Sequence, residues 1–234
     1  MTAALLGPWQ RSAPGVAGCC ALVAVKRRAL GKTRLAPLLS AAERVALVRS
    51  MLVNVLQALQ GSSGVQQLVL VSPERDAVPE HVAVYPDSGR GLNAALEQAQ
   101  RALLEHGASE LLVLPGDLPR LRVADIDALL SAGRAAGCAL APDRTGFGTN
   151  ALYWNPGAAG GARFQFQFGA GSLRRHIAEA QGLGVEAALV RRAGLALDID
   201  TPADLQQWRA LITRAHEPLP PALPKREPRR EARG

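Results

Sequence analysis

Short apolar runs alternate with amphipathic helical segments along this chain, and that alternation constrains its fold most strongly. Seven runs have the length and composition of buried strands, at residues 21–25, 67–71, 81–85, 111–115, 138–142, 150–154 and 195–199. Strands that alternate with helices usually form a parallel sheet covered on both faces. The sequence therefore predicts a single-domain, Rossmann-like α/β fold with a mostly parallel central sheet and helices on both faces.

The helical segments carry recognisable start signals. Ser40 and Glu43 predict a capping box ahead of an apolar stripe that runs through residues 45–59, and two further stripes lie at residues 92–103 and 126–130. Thr201, Pro202 and Asp204 predict the start of the last helix. We expect one domain over residues 19–214, after a flexible N-terminus (1–18) and before a disordered tail (215–234) rich in proline and arginine.

Acidic residues follow two of the predicted strands, where ligands of parallel sheets bind. Asp117 lies between two prolines that stiffen its loop, while Asp198 and Asp200 are two apart in a predicted strand and would face the same side. Neighbouring carboxylates repel one another unless a cation lies between them, and Mg²⁺ prefers such oxygen ligands. We expect Asp117, Asp198 and Asp200 to hold Mg²⁺; the alternatives are a turn-forming Asp117 and an Asp200 that only supports the helix cap.

A basic loop follows the first predicted strand. Its end, Gly31-Lys32-Thr33, matches the end of a phosphate-binding P-loop, but Lys26 stands where the first glycine is needed and Pro37 interrupts the helix that should follow. The loop must therefore act through its charged side chains. We expect the five cations of this loop, Lys26, Arg27, Arg28, Lys32 and Arg34, to neutralise a polyphosphate whose other face the metal holds.

Three glycine-containing turns could bind further polar groups. The turn at Gly91 enters a helix, while the turns "GFGTN" and "FGAGS" offer backbone N–H groups with the hydroxyls of Thr149 and Ser172. The turn at Gly91 favours an anion or a polar base edge, and the other two fit a small phosphate or carboxylate or a plain turn. His176, in the helix that Ser172 begins, is expected to be structural and not catalytic.

Composition narrows the class of partner. The net charge of +7 favours anionic ligands, but only 4% of the residues are aromatic, which disfavours a nucleic-acid surface that stacks bases. No apolar run approaches the roughly 20 residues of a membrane span, and the N-terminal residues lack the pattern of a signal peptide. Three cysteines without a C-x-x-C pair indicate buried thiols. We expect a cytoplasmic protein with no membrane or nucleic-acid partner.

Taken together, the motifs resemble those of the CofC/FbiD guanylyltransferases of coenzyme F(420) biosynthesis. The matching pieces are Lys26 with "KTRL" at 32–35, "GLNAAL" at 91–96, "PGDLP" at 115–119, "DRTGFGTNAL" at 143–152, "FGAGSLRRH" at 168–176 and "DIDTPADL" at 198–205. They follow the family's order over about residues 21–208, so the set is specific although each piece is weak. The resemblance implies a nucleotidyltransferase fold of the glycosyltransferase-A type.

The resemblance also implies a reaction and a role for each matching residue. GMP would pass from GTP to the phosphate of 2-phospho-L-lactate, phosphoenolpyruvate or 3-phospho-D-glycerate, with release of pyrophosphate and with Mg²⁺ as cofactor. Three sets of positions match the family. They are Asp117, Asp198 and Asp200 for the metal; Lys26, Lys32, Arg34, Gly91, Leu92 and Asn93 for the nucleotide; and Thr149, Gly169 and Ser172 for the acceptor. Asp117, Lys26, Lys32 and Arg34 would be catalytic.

Other functions remain open on the sequence. Another nucleotidyltransferase or glycosyltransferase of the same fold, such as a molybdopterin guanylyltransferase, would share the architecture. That enzyme's glycine-rich first loop, L-x-G-G-x-S, is absent here. A non-catalytic module that binds nucleotides or nucleic acid would explain the basic charge. A homodimer, hand-over of the product to a downstream transferase and the identity of the acceptor acid also stay open.

Overall fold

The computed structural model describes residues 18–25, 32–72, 82–86 and 90–215, which form a seven-stranded sheet and six α-helices. The strands are β1 (Cys19–Ala24), β2 (Val65–Ser72), β3 (Ala83–Pro86), β4 (Glu110–Pro115), β5 (Cys138–Pro142), β6 (Thr149–Trp154) and β7 (Ala187–Leu189). The helices are α1 (Ala41–Gly61), α2 (Leu92–Glu105), α3 (Val123–Ala136), α4 (Ser172–Gly182), α5 (Ala193–Ala196) and α6 (Pro202–Ala215). Short 3-10 helices span Thr33–Leu35 and Pro156–Ala159.

The strand order is β3-β2-β1-β4-β6-β5-β7, and among the described strands only β6 runs antiparallel to its neighbours. The short loop from β5 to β6 is closed by the hydrogen bond from Asp143 N to Gly148 O, and so short a connection can join only antiparallel strands. The mostly parallel α/β fold predicted from the sequence is confirmed.

The predicted strand at 195–199 is wrong. Residues 193–196 form α5, and residues 197–200 run on without pairing in the sheet. The edge of β5 where such a strand could pair is taken by β7, which the sequence analysis missed. Contacts with other elements also hold α5 in place. Asn150 Nδ2 of β6 donates a hydrogen bond to Leu195 O, and Gly194 packs tightly against Asp125 of α3.

Two apolar cores lie on the two faces of the sheet. One contains Leu52, Val55 and Leu59 of α1 with Ile126 and Leu129 of α3. The other contains side chains of α2 and α4, together with Phe164 and Phe166 from the chain that follows β6. Successive residues of β1 point alternately into the two cores, as expected for a strand buried on both faces.

A third, smaller core lies beside the carboxyl ends of β1 and β4. It joins Leu35 of the first 3-10 helix, Met51 of α1, Leu197 and Ile199 of the unpaired segment, and Trp208 of α6. Packing in this cluster, which we call the third core, ties the loop after β1 to the segment that carries Asp198 and Asp200.

The predicted helix caps are confirmed. Ser40 Oγ accepts a hydrogen bond from Glu43 N while Glu43 Oε2 accepts one from Ser40 N at 2.7 Å. Thr201 and Asp204 exchange the same pair of bonds at the start of α6. The three cysteines are buried and reduced, and burial raises the thiol pKa of Cys20 to about 12. Within the described ranges, no helix has the length and apolar character needed to cross a membrane.

Candidate active site

A cavity of about 490 Å³ opens at the carboxyl ends of β1 and β4, where the sequence predicts the chemistry. Most of the predicted site residues line it. Its wall includes Lys32, Thr33, Arg34, Leu92, Leu96, Gly116, Asp117, Thr149, Asn150, Phe168, Gly169, Asp198 and Asp200. Six segments of the chain therefore meet around one space.

Lys32 is the central cation of the cavity. Its Nζ lies 2.5 Å from Asp117 Oδ2 and 2.6 Å from Asp200 Oδ1, and its side chain is only 7% exposed. Burial alone would lower the pKa of this ammonium, but the two carboxylates outweigh it and the pKa is raised. Among the described residues, Lys32 is the only non-glycine with a positive φ (57°), which the 3-10 helix directly after it helps to fix.

Asp117, Asp198 and Asp200 all line this cavity, although the segment of the last two is not the predicted strand. Their role as metal ligands stays a prediction. Leu197 and Ile199 point into the third core, so Asp198 and Asp200 point the other way, into the cavity. Burial raises the pKa of the Asp198 carboxyl, and the nearby charge of Asp117 raises it further. Around Asp198, the negative charges of Asp117 and Asp200 outweigh the positive charge of Lys32.

The carboxylate oxygens of Asp117, Asp198 and Asp200 are of the type that Mg²⁺ binds. In the described part of the chain there is no ready-made group of three or more His, Cys, Asp or Glu side chains around one metal position. However, Asp117 Oδ1 is buried without a hydrogen-bond partner among the described residues, which is costly for a carboxylate. Mg²⁺ usually takes one or two carboxylates and completes its shell with water and phosphate oxygens.

Thr149 and Ser172 are joined to each other by a hydrogen bond. Ser172 is the first residue of α4 and its Oγ accepts a hydrogen bond of 2.9 Å from Thr149 N. Thr149 lines the cavity, whereas Ser172 is almost fully buried behind it. Ser172 thus positions the backbone at Thr149.

His176 completes this arrangement from the next turn of α4. Its Nδ1 lies 3.0 Å from Thr149 Oγ1, and its Nε2 accepts a hydrogen bond from Gln167 N at 3.0 Å. His176 is fully buried, which agrees with the structural role expected from the sequence. The sequence analysis missed its contact with Thr149. The signal was the spacing of Ser172 and His176, because side chains four apart share one helix face.

Asn93 and Phe168 hold the opposite wall of the cavity. The Asn93 side chain donates to Phe168 O and accepts from Phe168 N, so its amide fixes the chain next to Gly169. Leu92 lines the cavity. Gly91 caps α2 with a φ of 95°, a backbone conformation that favours glycine. These bonds hold the Asn93 side chain against the backbone of Phe168, and its predicted nucleotide contact stays a prediction.

The basic loop is described only in part. Arg34 is exposed and lines the cavity beside Lys32, and its predicted triphosphate contact stays a prediction. Lys26 lies outside the described residues. The loop is not a P-loop where it is described, because a 3-10 helix follows Lys32 and α1 begins only at Ala41.

The loop between β5 and β6 is tied to the acidic segment. Arg144 Nη2 lies 2.7 Å from Asp204 Oδ1, and Asp204 also accepts from the backbone N–H of Asp200. Burial would raise the pKa of the Asp204 carboxyl, but these bonds and those from Thr201 lower it. Asp200 therefore supports the cap of α6 through its backbone while its carboxylate faces Lys32.

Comparison with known proteins agrees with this geometry. The family described as "Guanylyl transferase CofC like" matches residues 19–211. The phosphoenolpyruvate guanylyltransferase of Sphaerobacter thermophilus is 42% identical over 192 residues, covering 80% of this chain and 90% of the relative. The 3-phospho-D-glycerate guanylyltransferase of Phenylobacterium zucineum is 38% identical over 192 residues, covering 79% of this chain and 86% of that protein.

Solved structures show the same fold at low sequence identity. A protein of Desulfovibrio desulfuricans G20 named as a nucleotide-diphospho-sugar transferase superposes with a TM-score of 0.69 at 18% identity, over 86% of this chain and 90% of its own. The 4-diphosphocytidyl-2C-methyl-D-erythritol synthase of Anaerococcus prevotii superposes with a TM-score of 0.56 at 10% identity, over 85% and 99%. The fold is that of the nucleotidyltransferases, and the chain belongs to the CofC-like family of guanylyl transferases.

Proposed function

We propose that this chain transfers GMP from GTP to the phosphate of a small three-carbon phospho-acid and releases pyrophosphate. The observation that carries the proposal is the convergence of Lys32, Asp117 and Asp200 in one cavity that also contains Thr149 and Gly169. A cationic side chain and a carboxylate cluster on one wall suit a triphosphate, and the polar turn suits a small acid. The names of the relatives from S. thermophilus and P. zucineum support this substrate class.

The triphosphate would lie against Lys32 and Arg34. The ammonium of Lys32 has three protons, of which Asp117 and Asp200 engage two, so a third donor remains for a phosphate oxygen. Arg34 is exposed at the cavity wall and can add a planar, two-pronged contact. Lys26 would add a further positive charge for the triphosphate. These contacts neutralise charge that builds up on the leaving pyrophosphate.

Asp117, Asp198 and Asp200 would hold Mg²⁺. A bound divalent cation supplies Lewis-acid polarisation of the phosphate under attack and neutralises charge on the leaving group. The unpartnered Asp117 Oδ1 and the raised pKa of Asp198 support the choice of these three acids.

The acceptor would need no general base from the protein. A phosphate monoester has its second pKa near 6, so it is already largely a dianion at neutral pH. The protein's contribution is then to bring the acceptor phosphate into line with the α-phosphate. Thr149, Gly169 and Ser172 would form the acceptor end, and Leu92 with Gly91 and Asn93 the nucleoside end. The product would serve coenzyme F(420) biosynthesis, where a downstream transferase consumes it.

The direct test is incubation of the protein with Mg²⁺ and GTP plus phosphoenolpyruvate, 3-phospho-D-glycerate or 2-phospho-L-lactate in separate reactions. Pyrophosphate release and the product mass are followed together, and ATP replaces GTP as the nucleotide control. We expect pyrophosphate and a guanosine diphospho-acid with at least one of the three acids. Pyrophosphate release without an acid, or no release with any acid, would contradict the proposal.

A further inference from the structure

The hydrogen bonds of His176 determine which of its ring nitrogens carries the proton. The backbone N–H of Gln167 donates to Nε2 at 3.0 Å, and a nitrogen that accepts a hydrogen bond must present its lone pair. In a neutral imidazole the proton then resides on Nδ1. That nitrogen lies 3.0 Å from Thr149 Oγ1, so Nδ1–H donates to the threonine hydroxyl.

The direction of this bond decides what the Thr149 hydroxyl can do. A hydroxyl has one proton, and Thr149 Oγ1 uses a lone pair to accept from His176. Its own proton therefore remains available for a group in the cavity that Thr149 lines. The backbone N–H of Thr149 is bound to Ser172 Oγ, which fixes the residue at that place.

The surroundings of His176 enclose the ring and favour its neutral form. The side chain is fully buried and makes an edge contact with Phe168, with ring centroids 4.8 Å apart. Phe164 contacts it from another direction at 5.7 Å. Burial first, and the charge of Arg175 second, lower the pKa of His176 to about 4. The ring does not reach the cavity, so it can act on a ligand only through Thr149.

We propose that His176 is a positioning residue that orients the Thr149 hydroxyl as a hydrogen-bond donor to an anionic group of the acceptor acid. This inference rests on the proposed function, because it assigns the acceptor to the Thr149 side of the cavity. It adds a buried histidine, and a fixed direction of hydrogen bonding, to that end of the site.

The first test needs no catalysis. Two-bond ¹⁵N–¹H correlation spectra of the wild-type protein labelled in its four histidines report the tautomer of each ring, and the His176→Gln spectrum identifies the His176 signals. We expect His176 to be neutral at pH 7 with its proton on Nδ1, the less common form. A ring protonated on Nε2, or on both nitrogens, would overturn the inference.

The second test uses two substitutions that each keep one of the ring's contacts. In His176→Asn the amide nitrogen lies at the distance of Nδ1 from Cβ and can still donate to Thr149. In His176→Gln the amide reaches the position of Nε2 and serves Gln167 instead. Thr149→Val removes the hydroxyl, and Thr149→Ser retains it.

We expect His176→Gln and Thr149→Val each to raise the KM for the acceptor acid roughly tenfold, the effect of one hydrogen bond to a charged group. The KM for GTP should stay within about twofold of the wild-type value. The acceptor KM of His176→Asn and of Thr149→Ser should stay within about threefold of the wild-type value. Adding His176→Gln to Thr149→Val should cause no further increase, because the two act through one hydroxyl.

The outcomes separate the inference from the proposed function. Suppose the wild-type protein turns over. Equal acceptor KM values in His176→Asn and His176→Gln, or additive effects in the double variant, would then overturn only the role of His176. Absence of wild-type turnover with all three acids would overturn the proposed function and the acceptor contact with it, whatever tautomer the spectra report. Thermal unfolding of each variant checks that a loss of activity is not a loss of fold.

Discussion

Lys32 Nζ lies 2.5 Å from Asp117 Oδ2, and this ion pair joins the loop after β1 to the loop after β4 across 85 positions of sequence. The ammonium also contacts Asp200, so it lies between two carboxylates proposed to hold a divalent cation. Lys32 and that cation would bind the same two carboxylates. Two positive charges at such short range repel each other strongly, so they should compete.

This competition predicts the effect of Lys32→Met on metal binding. Removal of the ammonium frees Asp117 and Asp200, so the affinity for Mg²⁺ without nucleotide should rise about tenfold or more, although turnover should fall. Isothermal titration calorimetry with Mg²⁺ measures the affinity. Arg34→Met is the matched control, since it removes one positive charge from the same cavity wall without breaking the ion pair with Asp117. Unchanged or weaker Mg²⁺ binding in Lys32→Met would contradict the competition.

Asp117→Asn should lower kcat by roughly 100-fold to 1,000-fold, the usual cost of losing one electrostatic contact in a transition state. The amide keeps the shape of the side chain but removes the charge that would attract Mg²⁺. Pyrophosphate release under saturating substrates measures the change, and thermal unfolding should show a folded variant. Glu186→Gln serves as control, because it removes a carboxylate at the amino-terminal end of the sheet, away from the cavity. Near-normal kcat in Asp117→Asn would remove Asp117 from the metal site.

The sequence predicted most of the sheet because burial on both faces leaves a clear apolar run in each strand. It failed at residues 195–199, where Leu197 and Ile199 alternate with two aspartates just as they would in a strand. Alternation reports which side of an extended chain is buried, and it carries no information about whether a neighbouring strand supplies hydrogen bonds. The third core buries this segment instead, so the inferred orientation of the acids was right although the element was wrong.

Long-range contacts account for what the sequence did not reveal at the site. The motif "KTRL" suggested that Lys32 meets phosphate, but its pairing with Asp117 and Asp200 depends on how the third core packs. Likewise, nothing local to Thr149 predicts a histidine partner 27 positions later. The spacing of His176 from Ser172 on one helix was visible, but its meaning required the position of β6.

Ile199→Ala should test whether the third core holds the acidic segment in place. Ile199 is fully buried between the two aspartates, and loss of such a side chain typically costs about 2–5 kcal/mol of unfolding free energy. Urea denaturation measures the loss, and Mg²⁺ titration should show weaker binding because Asp198 and Asp200 are no longer held. Val53→Ala on the exposed side of α1 is the control and should change stability by less than about 0.5 kcal/mol. Stability equal to wild type in Ile199→Ala would show that the third core does not anchor the segment.

His176 should make the stability of the protein depend on pH between about 4 and 6.5. Burial, with the charge of Arg175, lowers its pKa in the folded state from 6.5 to about 4, so in this range the unfolded chain binds a proton that the folded protein does not. The contribution is therefore complete above pH 6.5 and is lost as the pH falls towards 4, by about 3 kcal/mol in all. Urea unfolding at several pH values measures the slope. In His176→Gln, which cannot titrate, the free energy of unfolding should fall by about 3 kcal/mol less between pH 6.5 and pH 4. An identical pH dependence in both proteins would show that His176 is not buried as a neutral ring.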